Sequence, residues 1–206
     1  MSADILSFNR VRPRRADPVL AQVEGYWEAL RDGRPAPARA EVDPRGLADV
    51  LKHCFVLERI AAGFARCRVT GQAVNGLMGL EMKGMPISAM FLPETRDTLE
   101  DALERMFDGP RTLALTLRSP AGFKRKQITG QMLVFPLRSD LGEITRALGC
   151  IVTEGETGPA PRRFRIEACR LQEIPLGHRI SSRHDEPAPP ESRGQVIALP
   201  RPDDRA

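Results

Sequence analysis

One tryptophan, one tyrosine and three histidines in 206 residues remove several function classes at once. His178 and His184 sit in a polar tail, so only His53 remains to ligate a haem iron axially within the main body. No Ser-His-Asp or Cys-His arrangement can be assembled from so few histidines. His53 opens a predicted strand, where a structural or exposed role is the simpler assignment. Cys54, Cys67, Cys150 and Cys169 are far apart, with no Cys-x-x-Cys and no histidine at ligand spacing. That pattern argues against zinc and reads as reduced core cysteine. No Gly-rich phosphate loop follows a strand, and Gly76 and Gly79 read as turns. The longest uncharged stretch, residues 69–80, is 12 residues, against about 20 for a membrane span. The N-terminus carries Asp4 and several arginines but no apolar run suited to a signal peptide. The expectation is a soluble, cytoplasmic chain with no catalytic residues, no metal and no resident cofactor.

Charge of one sign is also scarce. The formal charge of +4 is the small difference between 31 basic and 27 acidic residues. Basicity concentrates at two places: Arg10, Arg12, Arg14 and Arg15, and a run of Arg111, Arg118, Lys124, Arg125, Lys126 and Arg138 lying between Asp108 and Asp140 with no acid among them. Solvated surface is the plain reading of both, and a polyanion such as nucleic acid is the rival. What the chain does have is 41% apolar content, enough for one domain of ordinary size around one core.

Asp17-Pro18 is a helix start, since the carboxylate can accept an orphan backbone N–H and proline suits the first helical position. Val19, Leu20, Val23, Tyr26, Trp27 and Leu30 then recur on one face, and Gly33 supplies the stop. Residues 34–42, with Pro35 and Pro37, form an extended connector, and Asp43-Pro44 caps a short helix carrying Leu47, Val50 and Leu51. Strands are expected at 53–59 and 64–70, paired as a hairpin with Arg66 and Arg68 alternating against Ala65, Cys67 and Val69. Residues 71–91 are rich in Gly and Met and read as short helical pieces, because Met fills irregular gaps. A helix at 93–107 turns Leu99, Ala102, Leu103, Met106 and Phe107 inward. Three strands follow at 111–118, 124–137 and 143–154, joined by turn residues. Two hairpin-linked strands, a helical insertion and three more strands make an antiparallel α+β domain. Residues 164–174 are a candidate extra strand, and the proline-rich polar segment 181–206 offers too little to bury to order itself.

The block Tyr26-Trp27-Glu28-Ala29-Leu30-Arg31-Asp32-Gly33-Arg34-Pro35-Ala36-Pro37-Ala38-Arg39, closed by Val42-Asp43-Pro44, resembles the opening of a single-domain bacterial PAS family of alphaproteobacterial type. Cys67-Arg68-Val69-Thr70-Gly71-Gln72 is similar to that family's aromatic-Arg-Leu-Ala-Gly-Thr, and Gly79-Leu80-Glu81-Met82-Lys83-Gly84 to its Gly-Arg-Asp-Leu-Thr-Gly. Phe135-Pro136-Leu137 and Leu148-Gly149-Cys150 echo the ends of its last two strands. The likeness runs from about residue 17 to 154. Cys67 replaces an aromatic, and Leu80 an arginine. The resemblance implies a PAS-like five-stranded antiparallel sheet with a helical insertion and an N-terminal amphipathic helix. Expected boundaries are a basic arm at 1–16, the PAS-like domain at 17–155, a linker with the candidate strand at 156–180 and a disordered tail at 181–206.

PAS domains share a shape while binding haem, flavin, metabolites or nothing, so the fold alone names no ligand. No Asn-Cys-Arg-Phe-Leu-Gln-like motif for a photoactive flavin is present. A cavity between sheet and insertion would be walled by Phe55, Leu57, Cys67, Val69, Leu77, Met82, Leu115 and Leu133, the same residues a packed core needs. The implied function is a non-enzymatic sensory or regulatory module working through protein contacts, with a small ligand as an optional input. About 50 residues after the likeness are too few for an output domain, so output is expected to pass through a protein partner or a second copy. The expected surface is the first helix, through Val23, Tyr26, Trp27 and Leu30. The competing assignment for that helix is a cap on its own sheet.

Overall fold

The computed structural model describes residues 17–175. The expected arm at 1–16 and the expected tail at 181–206 lie outside the described residues.

Helix α1 (Pro18–Arg31) starts as its sequence requires, with the Asp17 carboxylate accepting from the Val19 N–H at 2.8 Å. It stops where Asp32 (φ 44°) and Gly33 (φ 73°) both turn left-handed, a conformation that costs little for Asp and nothing for Gly. The connector runs through short 3-10 turns, Arg39–Glu41, Pro44–Leu47 and Leu51–His53, into strand β1 (Cys54–Ala61) and its hairpin partner β2 (Phe64–Thr70). The insertion holds α2 (Gln72–Met78), two further 3-10 turns, Ile87–Met90 and Pro93–Thr95, and α3 (Arg96–Phe107). Strands β3 (Arg111–Ser119), β4 (Ile128–Arg138), β5 (Ile144–Glu154) and β6 (Arg165–Glu173) complete the chain.

All pairings are antiparallel, in the order β2-β1-β5-β4-β3-β6. The sheet therefore has six strands, not five, and the domain continues past the expected boundary at 155. The sixth strand was faint in sequence because a register break between Thr116 and Leu117 on β3 interrupts the alternation of β6: Cys169 and Leu171 pair with Leu115 and Leu113, then Ile166 pairs with Leu117. Strand β4 begins at Ile128 and not at 124, since Gly122 and Arg125 exchange backbone hydrogen bonds and Lys124 (φ 54°) turns the hairpin.

The expectation of one core also needs correction, because both faces of the sheet are covered. Against one face pack α2, α3 and the insertion turns, with Phe55, Leu57, Cys67, Met82, Met90, Phe91, Met106 and Met132 among the buried side chains. On the other, α1 contributes Leu20, Val23 and Trp27, which meet Cys54, Phe135, Leu137, Leu148 and Cys150. A half-covered antiparallel sheet would show apolar-polar alternation. Here Phe135, Pro136 and Leu137 are consecutive and all buried, as a strand between two layers must be.

Candidate functional site

Three arrangements of side chains stand out: the inner core, the clasp of α1, and a groove beside α2. Six of the eight expected cavity walls, Phe55, Leu57, Cys67, Leu77, Met82 and Leu115, come together on the inner face. Val69 does not: it is 49% exposed. The cause is a bulge between Val56 and Leu57 of β1, which pair with Val69 and Cys67, so Arg68 is extra and the alternation slips by one residue. Leu133 is only partly buried and packs in the outer cluster under α1; Met132 and Val134 take the inner face. The Phe55 ring lies so close to its cross-strand partner Gly149 that a Cβ there would overlap it. Burial pushes the Cys67 thiol up to about 12, as expected of a sulfur packed as a hydrophobe.

On the outer face, Val23 and Trp27 have no exposed surface. The expected partner surface on α1 is therefore corrected at those two residues, which cap their own sheet. Trp27 stacks on Phe135 at 5.2 Å between centroids, and its indole N–H donates to the Pro136 carbonyl at 3.0 Å. Arg31 lies over the same indole and donates through Nη1 to the carbonyls of Arg34 and Pro175, fastening the end of α1 to the chain beyond β6. The Tyr26 hydroxyl donates to the Asp43 carbonyl and accepts from the Asp43 N–H. Arg138 donates to the Ala36 carbonyl, and Arg34 pairs with Glu41. Tyr26 and Leu30 are half-buried edges of this packed layer. Thus the block of residues 26–44 works as a clasp that holds α1 on the sheet.

A groove of about 480 Å³ opens between α2, the turn before β1, strand β5 and the connector to β6. Its walls include His53, Leu77, Thr153, Thr157 and Gly158. Sequence reasoning gave His53 a structural or exposed role; the fold sets it on this wall because the 3-10 turn Leu51–His53 runs beside α2. Behind the groove lies Arg162, which is fully buried. Its backbone N–H donates to Leu77, and its guanidinium donates to the carbonyls of Thr157, Lys126 and Glu156, while Nη1 has no partner among the described residues. Desolvation, then the neighbouring charge of Arg125, lowers its pKa. Nothing in the sequence distinguished Arg162 from the exposed Arg163 beside it. Asn75 was likewise missed: its side-chain oxygen accepts from Thr70 Oγ1 and the Met82 N–H, tying α2 to the loop after it.

Glu58 is the charged centre of the hairpin. It is paired across the strands with Arg66 and Arg146 and also meets Arg68, at 2.8, 2.8 and 2.5 Å. Hydrogen bonding from Arg68, followed by Arg66 and the charge of Arg146, outweighs burial and holds its carboxyl near 2. The basic run of the middle strands is divided up by partners: Arg111 with Glu173, Arg118 with Glu167, Lys126 with Glu156, and Arg138 on the Ala36 carbonyl. The arm from Arg10 to Arg15 lies outside the described residues. Among the described residues, no three metal-capable side chains cluster, and no helix is long and apolar enough to cross a membrane.

Similar solved structures include a light-oxygen-voltage domain studied with a flavin analogue, at 16% identity and a TM-score of 0.41, covering 54% of this chain and 84% of that one. Another is the light state of the blue-light photoreceptor Aureochrome1 LOV, at 14% identity and 0.39, covering 54% and 88%. Likeness of this degree says nothing about what this chain binds. No curated protein matches the chain in sequence. The PAS domain family model matches residues 15–152, spanning the clasp, the hairpin, the insertion, β3, β4 and nearly all of β5, and the chain belongs to the PAS domain family.

Proposed function

We propose that this PAS domain is a non-enzymatic, cytoplasmic sensory module that signals by docking another protein, with a small ligand in the α2 groove as an optional input. PAS membership supports the sensory and regulatory part. The observation that carries the docking part is the tip of the β1–β2 hairpin at the sheet edge, where Ile60 is 53% and Phe64 is 44% exposed. Large apolar side chains left in water at the tip of an edge hairpin are a feature that monomeric domains tend to suppress. The Glu58 cluster stiffens the hairpin behind them, so they are presented on a fixed frame. Tyr26 and Leu30, at the edge of α1, are the residual helical contribution to such a surface.

The test is affinity capture with the full chain and its Phe64→Asp variant as paired baits in host extract. Docking through the hairpin requires a protein bound stoichiometrically by the parent and lost by the variant. Equal recovery by both, or by neither, would contradict it. The nucleic-acid reading is disfavoured because Arg111, Arg118 and Lys126 already face carboxylates, leaving no continuous cationic stripe along β3 and β4.

A further inference from the structure

Cys54 and Cys150 stand directly opposite each other on β1 and β5. The Cys54 carbonyl accepts from the Gly71 N–H on the β2 side, so its polar backbone points away from β5. The two cysteines therefore form a non-hydrogen-bonded pair, the kind with Cα atoms about 4.5 Å apart and side chains closest. That spacing falls within the 4.4 to 6.8 Å window of disulfides, roughly at its short end. Both side chains join the outer cluster, beneath Leu20, Val23 and Trp27 of α1. The other two cysteines have no such neighbour, since Cys67 pairs with Leu57 and Cys169 with Leu115.

We propose that Cys54 and Cys150 are an oxidisable dithiol that closes into a cross-strand disulfide when α1 lifts from the sheet. With α1 seated, the pair is sealed. Cys54 is 4% and Cys150 0% exposed, and the Cys54 thiol donates to the Val50 carbonyl at 3.4 Å. Burial raises both thiols above their ordinary value, Cys54 to about 11, so neither supplies thiolate. Lifting α1 admits both water and oxidant. With hydrogen peroxide as oxidant, one thiolate attacks an oxygen, the O–O bond breaks, and, with a proton taken up by the leaving hydroxide, a sulfenic acid and one water result. The second thiol attacks that sulfur, the S–O bond breaks as S–S forms, and a second water leaves. Two thiol protons and two electrons are thereby transferred to the peroxide. The bond would record that the outer layer had opened, an input independent of whether the hairpin docks a partner.

The experiment exposes the full chain, Leu20→Ala and Trp27→Ala to hydrogen peroxide under native conditions, then denatures, alkylates free thiols and maps the linked peptides. The expected result is a Cys54–Cys150 link that forms slowly in the parent and on the order of tenfold or more faster in Leu20→Ala, because weakening the α1 contact populates the lifted state. Trp27→Ala should be faster still while folded; Leu20→Ala, the milder change, decides if it is not. Absence of the link in every protein, equal rates in parent and Leu20→Ala, or links scrambled onto Cys67 would each overturn the proposal.

Discussion

The Trp27 ring lies on Phe135 at 5.2 Å and 25°, joining the first helix to the fourth strand across 108 positions of sequence. This contact decides between the two assignments that the amphipathic helix allowed, since a ring with no exposed surface cannot anchor a partner. Truncation to Ala should cost about 3 to 5 kcal/mol of unfolding free energy, as for other buried aromatics. Trp27→Phe, which keeps an aromatic but loses the bond to the Pro136 carbonyl, should cost visibly less. Urea denaturation of the two variants measures both, and equal losses would show the ring packing to be irrelevant.

The Glu58 carboxyl sits near 2, below its ordinary 4.5. A depressed folded-state value means that the stabilisation is complete above the ordinary carboxylate range and is lost as pH falls through that range toward 2. The three arginines are partly in water, so screening makes the effect smaller than the shift implies. Melting temperature should decline from about pH 5 downward, and Glu58→Gln should flatten that decline. An unchanged slope in the variant would assign acid sensitivity elsewhere.

Gly149 lies under the Phe55 ring in a place where a Cβ cannot be accommodated without moving the ring. Gly149→Ala should destabilise the domain by about 1 to 3 kcal/mol, the usual range for overpacking. Pairing it with Phe55→Leu should recover part of the loss. Denaturation of the single and double variants checks this, and additivity would contradict direct contact.

Arg162→Leu removes the donors that hold the carbonyls of Lys126, Glu156 and Thr157 together. Hydrogen exchange at residues 122–127 and 156–162 should accelerate, while exchange in α1 stays as in the parent. Uniform acceleration across the domain would instead make Arg162 a core stabiliser.

Much of this architecture was legible because local chemistry and burial agreed. Asp17-Pro18 capped the helix, Leu99 to Phe107 kept a helical period, and β2 began and ended at the expected residues 64 and 70. Legibility failed where a residue's face depended on something nonlocal. Val69 changed sides because of one bulge residue, and Leu133 because a strand buried on both faces carries no polar mark of which layer it meets. Strand β6 was only a candidate, since its period breaks at the register shift. The α2 groove was hidden because His53, Thr153 and Thr157 come from three separate segments. Arg162 was hidden because only its folded surroundings, and not its neighbours in sequence, remove it from water.

A native mass spectrum of the full chain isolated from its own host bears most directly on the claim of a module that works through protein contacts. The expected spectrum contains a complex heavier than the 22.8 kDa chain by at least one further polypeptide, and Phe64→Asp abolishes it. A spectrum containing only the single chain, or the single chain carrying a haem or flavin, would contradict the account.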